Sequence, residues 1–305
     1  MTDGSHDDQE ADVDGQHTAE GPRPRPGFWF GLVVAIVKPF MLIWTKQDFR
    51  GRENLPRTGG VVFVTNHLSH FDPLVLGLYI WECRRIPRFL GKASVFKVPI
   101  AGRIISSAGQ IPVYRESAEA VDAFRAAVAA VEQGECVGVY PEGTITRDPD
   151  LWPMTGKTGA ARIALMTGCP VIPIANWGAQ EVFPSYVKGL HIRLLPRKTM
   201  RVQAGEPVDL SAFEGKPITN ELLHQATEVI MHRVAAELGE LRGETPPKEL
   251  FDLKKHRAME NNAASGDADS GDADSGNADS GNAGSGNGAG ENGAMNDKRE
   301  DEETR

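Results

Sequence analysis

The feature that most constrains the fold is an alternation of short β-branched runs with helical patterns through residues 51–245. Such an alternation predicts an α/β domain with a mixed, mostly parallel sheet flanked by helices. Two helices are well marked, one capped by Ser117 and ended by Gly134, the other opened by Thr219 with an apolar stripe reaching Leu241. The predicted strands are residues 61–65, 88–90, 111–114, 136–140, 171–175, 191–195 and 201–204.

Charge separates a body from two acidic ends. Residues 1–26 carry seven acids and two bases, and residues 257–305 carry twelve acids and four bases, which leaves residues 27–256 with a net charge of +4. From Ser265 onward a five-residue Ser/Gly/Asp/Asn repeat has almost no large apolar side chains and cannot offset the entropy of ordering. We therefore expect a disordered acidic leader at 1–26 and a disordered acidic tail at 257–305.

The cysteines and the leader indicate the compartment. Cys83, Cys136 and Cys169 form no CxxC pair, as expected of a protein in a reducing environment. A secretory signal needs a basic segment followed directly by an apolar one, and the acidic leader has neither, so we do not expect export.

Residues 27–50 contain the most apolar stretch of the chain, FWFGLVVAIVKPFMLIW. Lys38 and Pro39 interrupt it, and it is short of the roughly 20 apolar residues that a spanning helix needs. Aromatic rings at both ends and basic residues on both flanks are typical of an interfacial anchor. We predict a helical segment lying in one leaflet, with a helix packed on the domain's own core and a true membrane span as the alternatives.

The strongest chemical signal, NHLSHFDP, follows the buried run VVFVT. Asp72 and Pro73 predict a helix N-cap and a proline at the first helical position. With His67 in the preceding turn, the Asp72 carboxylate can accept from one imidazole nitrogen and leave the other as a base. Two alternatives stay open: Asp72 only caps the helix, or His67, His70 and Asp72 bind a metal ion, as in a metal-dependent hydrolase.

Two further segments end predicted strands at the same edge of the sheet. Residues 141–144, Pro-Glu-Gly-Thr, follow CVGVY, where Gly143 allows close backbone approach and Thr144 can donate a hydrogen bond. Arg115 ends QIPVYR and can bind a phosphate in a bidentate manner, or it is simply a solvated surface residue. The GKT at 156–158 lacks the upstream glycine of a P-loop, and the body has no GxSxG, which argues against a serine hydrolase.

Taken in order, these segments resemble the sequence blocks of the glycerolipid acyltransferases, and the lysophosphatidic acid acyltransferase family in particular. Residues 66–72 resemble NHxSxxD, residues 91–99 resemble AKxELFxxP with Ser94 at the acidic position, residues 109–115 the arginine-ended second block, residues 141–144 the PEGT core, and residues 171–174 the proline-centred fourth block. One departure stands out, because the family continues PEGT with Arg then Ser, whereas Ile145 and Thr146 follow here and the arginine is Arg147.

The resemblance implies an O-acyltransferase that moves a fatty acyl group from acyl-CoA or acyl-carrier protein to the sn-2 hydroxyl of lysophosphatidic acid. His67 would be the base and Asp72 its partner. The shifted arginine keeps another lysophospholipid or a glycolipid open as the acceptor, and a non-catalytic membrane-surface module is the alternative from another class. The substrate-binding residues implied are Asn66, Ser69, Lys92, Arg115, Glu142, Gly143, Thr144 and Arg147.

The resemblance also sets expectations for partners. We expect no metal and no cofactor besides the acyl thioester co-substrate, no nucleic-acid partner, and a peripheral or monotopic position on the cytoplasmic side of the cell membrane. Glu142 has the wrong charge for a phosphate, so we expect it to orient a basic neighbour or the glycerol hydroxyl.

Overall fold

The computed structural model describes residues 27–99, 101–113, 119–187, 189 and 191–268. Its strands are β1 (Thr45–Arg50), β2 (Val61–Thr65), β3 (Pro87–Lys92), β4 (Ile111–Val113), β5 (Cys136–Val139), β6 (Val171–Trp177) and β7 (Lys198–Ala204). Its α-helices are α1 (Phe28–Trp44), α2 (Asp72–Glu82), α3 (Ala93–Phe96), α4 (Ala101–Ser107), α5 (Glu119–Glu132), α6 (Gly159–Thr167), α7 (Ala179–Val182), α8 (Asn220–Arg242) and α9 (Leu253–Ala268).

The seven strands form one sheet in the order β1-β7-β6-β2-β5-β3-β4. All neighbouring pairs are parallel except β6 and β7, which are antiparallel. One face of the sheet packs on α5, α6 and α8 and the other on α2 and α7, with a buried apolar cluster on each side. The predicted mixed, mostly parallel sheet flanked by helices is confirmed.

Local signals account for most of the elements. Every residue of β2 is buried, as expected for a central strand covered on both faces. Helix α8 begins after Thr219, whose side chain accepts a hydrogen bond from the Leu222 amide at 3.2 Å, and Gly243 ends it in the left-handed conformation. Helix α5 confirms the other marked helix, although Ser117 and Tyr114 lie outside the described residues.

One predicted strand is wrong and one strand was not predicted. Residues 191–195 are irregular, with Ile192 and Leu195 53% and 72% exposed, because β7 already has β6 on one side and β1 on the other. Residues 45–50 form the edge strand β1, so the helical segment predicted for 27–50 ends at Trp44. The sequence TKQDFR of β1 lacks an apolar β-branched run such as the VVFVT of β2.

Helix α1 continues through Pro39 without a break. Phe30 and Met41 are buried against the domain, and the ammonium of Lys38 lies 2.6 Å from the carboxylate of Glu82 on α2. The opposite face is apolar and exposed, with Phe28 76% and Ile36 62% exposed. Among the described residues, none of the helices combines the length and the apolar character that crossing a bilayer requires.

Helix α9 covers part of the tail predicted to be disordered from residue 257. It begins after Asp252, whose carboxylate accepts from the Lys254 and Lys255 amides at 2.9 and 3.1 Å. The sequence LKKHRAMENNAA, which precedes the repeat, is rich in helix-forming residues, so helix continues into this region. The tail beyond residue 268 and the leader at 1–26 lie outside the described residues.

Candidate active site

The candidate site lies where β2, β5 and β6 end. These adjacent strands run parallel, so the segments that follow them meet at one edge of the sheet. We call residues 66–71, after β2, the His67 turn, and residues 141–147, after β5, the PEGT loop. Helix α7 follows β6. We call residues 183–187, which come directly after α7, the covering segment.

The His67 turn brings the predicted base and carboxylate together. His67 Nδ1 lies 2.8 Å from Asp72 Oδ2, and Asp72 is fully buried while the His67 side chain is 16% exposed. The same Asp72 oxygen accepts from the amides of Leu68 and Ser69, at 2.6 and 2.9 Å. With Nδ1 donating to the carboxylate, Nε2 is left to accept a proton.

The prediction that Asp72 caps α2 is wrong. The helix begins at Asp72 itself, after Phe71 in the cap position, and the carboxylate turns back toward the preceding turn. Pro73, which has no amide hydrogen, then occupies a position in the first turn where an amide has no helical partner in any case. One carboxylate therefore fixes both the backbone of the turn and the imidazole.

Asn66 and Ser69 lie behind the imidazole rather than beside an open surface, since both are fully buried. The Asn66 amide nitrogen donates to the carbonyl of Asn176 at 3.0 Å, and its oxygen accepts from the Asn176 amide at 2.9 Å, which joins the ends of β2 and β6. The Ser69 hydroxyl donates to the Phe183 carbonyl at 2.7 Å. These contacts hold the His67 turn between its neighbours, so the structure gives both residues a positioning role.

Glu142 is the second residue of the PEGT loop, and its side chain is buried. Its two carboxyl oxygens accept from the amides of His67 and Met154, at 3.0 and 3.1 Å. The sequence predicted a basic side chain or the glycerol hydroxyl as the partner instead. Burial raises the pKa of Glu142 to about 8. The Thr146 amide also donates to the His67 carbonyl, at 2.8 Å, so the PEGT loop contacts both sides of the His67 backbone.

Tyr140, which sequence reasoning missed, packs its ring on the imidazole. The two ring centroids lie 4.3 Å apart, and the Tyr140 hydroxyl is buried. Burial, with the Asp72 charge as a second cause, raises the pKa of Tyr140 well above its ordinary value, so the phenol stays neutral. Its place directly before PEGT, at the end of a buried strand, is the signal that would have found it.

Two of the three basic residues predicted to bind substrate, Lys92 and Arg147, are among the described residues. Arg147 is exposed, and its guanidinium carbon lies 3.6 Å from the ring centroid of Tyr186 in the covering segment. Lys92 is exposed at the end of β3. Arg115 lies outside the described residues. Ile145, where the resemblance expects arginine, is buried and apolar.

Gly143 and Thr144 form the outer part of the PEGT loop. Gly143 has a φ of 67°, a left-handed conformation that favours glycine. Thr144 is partly exposed beside it. Both follow Glu142, whose carboxyl accepts from the His67 amide, and their contact with a substrate stays a prediction.

The structure does not bring together the three residues of the metal-binding alternative, His67, His70 and Asp72. His70 is exposed, and its ring faces Phe183, with a centroid distance of 6.0 Å. In the part of the chain that the structure describes, no three His, Cys, Asp or Glu side chains are grouped so as to hold a metal ion.

The fold and the site together define an acyltransferase domain, and the Acyltransferase family model matches residues 46–177. Within that class, the ordered blocks and the named relatives show that this domain resembles the glycerolipid acyltransferases. The matched region contains the His67 turn and the PEGT loop. The predicted resemblance to this family and to its acyltransferase domain is thus confirmed.

Three relatives illustrate the similarity. A chloroplastic 1-acyl-sn-glycerol-3-phosphate acyltransferase of Brassica napus is 33% identical over 48% of this chain and 41% of its own length. The 1-acyl-sn-glycerol-3-phosphate acyltransferase of Bacillus subtilis is 28% identical over 60% of this chain and 83% of its own. The crystal structure of the 1-acyl-sn-glycerophosphate acyltransferase PlsC of Thermotoga maritima matches the fold with a TM-score of 0.53 and 24% identity, covering 72% of this chain and 81% of that one.

Coverage of the relatives is partial. The chain spans about half or less of the length of the first relatives, including 52% of the Borreliella burgdorferi 1-acyl-sn-glycerol-3-phosphate acyltransferase. The similarity therefore describes the domain that carries the site.

Proposed function

We propose that this protein transfers a fatty acyl group from an acyl thioester to the sn-2 hydroxyl of lysophosphatidic acid, giving phosphatidic acid. The observation that carries the proposal is the contact of 2.8 Å between His67 and a fully buried Asp72 at the sheet edge. Relatives named for this activity align over the same domain. The acyl donor is a thioester of coenzyme A or of acyl-carrier protein.

The chemistry needs one base and no covalent enzyme intermediate. His67 Nε2 takes the proton of the acceptor hydroxyl as its oxygen attacks the thioester carbonyl carbon. When the tetrahedral intermediate collapses, the carbon–sulfur bond breaks and the imidazolium returns the proton to the leaving thiolate. Asp72 holds the tautomer and stabilises the imidazolium, and Tyr140 restricts the ring from its face.

A lipid acceptor requires the site to work at a membrane surface. The exposed face of α1 is apolar along its length, and Phe28 and Trp29 at its start are 76% and 43% exposed. Aromatic and aliphatic side chains on one face of a helix favour insertion at the depth of the headgroups. We therefore propose that the protein lies peripherally on a membrane, and its three free cysteines favour the reducing, cytoplasmic side.

The direct test is an assay of purified full-length protein with lysophosphatidic acid and a long-chain acyl-CoA or acyl-carrier protein. Wild type should form phosphatidic acid, and His67→Ala should lower kcat by about 10²–10⁴-fold, the contribution of a positioned base. His70→Ala, which alters an exposed neighbour in the same turn, is the matched control and should stay close to wild type. Equal turnover by His67→Ala and wild type would eliminate His67 as the base.

A second acceptor is favoured by one observation. The arginine expected after PEGT is replaced by buried Ile145, and Arg147 stacks on Tyr186 instead. The same assay should therefore include other lysophospholipids and a glycolipid. Strong turnover of an uncharged acceptor with none of lysophosphatidic acid would exclude the first proposal in favour of this one.

A further inference from the structure

We propose that the protein has a second membrane contact, at the edge of the sheet that carries His67. Its partner is a phospholipid bilayer with anionic headgroups. The contact is formed by exposed apolar side chains that we call the edge patch: Leu42, Ile43, Tyr186, Val187, Ile192 and Leu195. This inference rests on the proposed function, and it identifies the surface that presents the site to a lipid acceptor.

The strand directions place the edge patch at the edge of the sheet where His67 lies. Strand β7 is antiparallel to β6, so β7 begins at the edge where β6 and β2 end. Strand β1 is parallel to β7, and its first residue, Thr45, pairs with Lys198, the first residue of β7. The last turn of α1 and residues 191–197, which precede β7, therefore meet at this edge.

Hydrogen bonds join the last turn of α1 to the chain just before β7. The guanidinium of Arg197 donates to the carbonyls of Leu42 and Thr45, at 2.7 and 2.6 Å. Leu194 packs on the buried apolar cluster to which α1 contributes, whereas the next residue, Leu195, is exposed. Leu195 is therefore held beside the exposed last turn of α1, and the two segments form one apolar surface rather than scattered exposed residues.

The covering segment extends the edge patch to the two loops of the site. The Ser185 hydroxyl donates to the Leu68 carbonyl in the His67 turn at 3.1 Å. The Tyr186 hydroxyl donates to the Ile145 carbonyl in the PEGT loop at 2.6 Å. A bilayer that contacts Tyr186 therefore lies next to both loops of the candidate site.

Charge favours an anionic bilayer as the partner. Exposed bases lie around the edge patch: Lys46, Arg147, Arg193 and Arg197. The carboxylate of Glu181 on α7 lies 4.0 Å from the ammonium of Lys198, which offsets its charge. Aliphatic and aromatic side chains among basic ones are typical of surfaces that bind anionic lipid headgroups.

The edge patch also continues the exposed apolar stripe of α1. The stripe repeats at spacings of three, four and seven residues, which places its members on one face of the helix: Trp29, Leu32, Ile36 and Ile43. A helix that lies in the headgroup region leaves the domain free to rotate about the helix axis. A second contact away from that axis fixes the rotation and turns the edge with His67 toward the lipid.

The test measures binding of the full-length protein to sedimented vesicles of phosphatidylcholine, with and without phosphatidylglycerol. The edge variant, Ile192→Gln/Leu195→Gln, removes two aliphatic side chains of the edge patch. Val121→Gln/Met166→Gln is the matched control. These two residues are 51% and 54% exposed on α5 and α6, which pack on the opposite face of the sheet from α2.

The edge variant should bind both kinds of vesicle about 10–100-fold more weakly than wild type, because two aliphatic side chains no longer enter the interface. The control variant should bind as wild type does. Arg193→Gln should weaken binding about 5-fold for vesicles with phosphatidylglycerol and leave binding to phosphatidylcholine alone unchanged. Thermal unfolding of each variant close to that of wild type shows that the effect is not a loss of folding.

A second measurement compares two acceptors. The edge variant should acylate long-chain lysophosphatidic acid in vesicles about 10-fold or more slowly than wild type, because less protein is on the vesicles. It should acylate short-chain lysophosphatidic acid, dissolved as monomers, at the wild-type rate. Equal losses with both acceptors would overturn the proposal, because the substitutions would then act on the site rather than on the membrane contact.

The two proposals fail differently. If wild type acylates lysophosphatidic acid and the edge variant binds vesicles as tightly as the control variant, the membrane contact is wrong and the proposed function stands. If wild type does not acylate lysophosphatidic acid and the edge variant loses vesicle binding, the proposed function is wrong and the membrane contact stands. If the edge variant is a monomer where wild type is a dimer, with equal vesicle binding, the edge patch joins two copies of the chain and the membrane contact is wrong.

Discussion

Two buried carboxyl groups border His67, that of Asp72 at the start of α2 and that of Glu142 in the PEGT loop. Asp72 accepts from the imidazole and from two amides of the His67 turn. Among the described residues, Glu142 of the PEGT loop accepts from two backbone amides, those of His67 and Met154. The carboxyl group in the first motif therefore contacts the proposed base, whereas the carboxyl group in the PEGT motif holds the backbone. The motifs alone do not distinguish these two roles, but the hydrogen bonds do.

The largest effect should come from Asp72→Asn. An asparagine keeps the shape of the side chain, but its amide cannot both accept from Nδ1 and preserve the contacts to Leu68 and Ser69, so the tautomer of His67 is lost. We expect kcat to fall by roughly 10²–10⁴-fold with a small change in KM. Asp122→Asn, on the exposed face of α5, is the control, and near-normal kcat in Asp72→Asn would contradict the proposed role of the pair.

A smaller, pH-dependent effect should follow from Glu142→Gln. The folded-state pKa of Glu142, about 8, exceeds its ordinary value of 4.5, so the folded protein binds more protons than the unfolded chain between these values. The free energy of unfolding of wild type should therefore decrease as pH rises through this range. Glutamine cannot titrate, and its amide group cannot accept from both backbone amides, which costs about 1–3 kcal/mol.

The free energy of unfolding of wild type should accordingly exceed that of Glu142→Gln by the largest amount near pH 5, and the difference should become smaller toward pH 9. Urea unfolding at several pH values measures it. A gap that widens with rising pH would mean that the ionised carboxylate is the stabilising form, and the contrast with Asp72 would disappear.

The smallest effect concerns the covering segment. The Tyr186 hydroxyl donates to the Ile145 carbonyl at 2.6 Å, and its ring supports Arg147. Tyr186→Phe keeps the ring and loses the hydrogen bond, so the free energy of unfolding should fall by about 1 kcal/mol with kcat unchanged. A kcat loss comparable to that of Asp72→Asn would show that the covering segment takes part in the chemistry.

The sequence predicted the parts of the molecule that depend on local pattern. Buried β-branched runs gave the parallel strands, and the spacing of His67 and Asp72 across a turn and a helix start gave their contact. Strand β1 and the irregular segment 191–195 depend instead on which strand occupies the place beside β7, which no local pattern encodes.

The site was predictable for the same reason and to the same extent. His67, Asp72 and the PEGT loop lie within motifs, and the structure brings them together. The partners of Asn66 and Glu142 lie 110 and 12 residues away, at Asn176 and Met154, and the Lys157 side chain lies against Gly143 from a segment that precedes α6. Such pairings are set by tertiary packing, so a reading of single segments could not find them.

Helix α1 ends at Trp44 and β1 begins at the next residue, Thr45. Several side-chain hydrogen bonds stabilise this junction. The buried Thr45 hydroxyl donates to the Met41 carbonyl at 2.7 Å, and Arg197 donates to the carbonyls of Leu42 and Thr45 at 2.7 and 2.6 Å. These hydrogen bonds make α1 and the edge strand β1 one continuous unit, so the two elements are expected to move together. Under the proposed function, a tilt of α1 at a membrane surface would turn the sheet with it and change the depth at which His67 meets the acceptor hydroxyl.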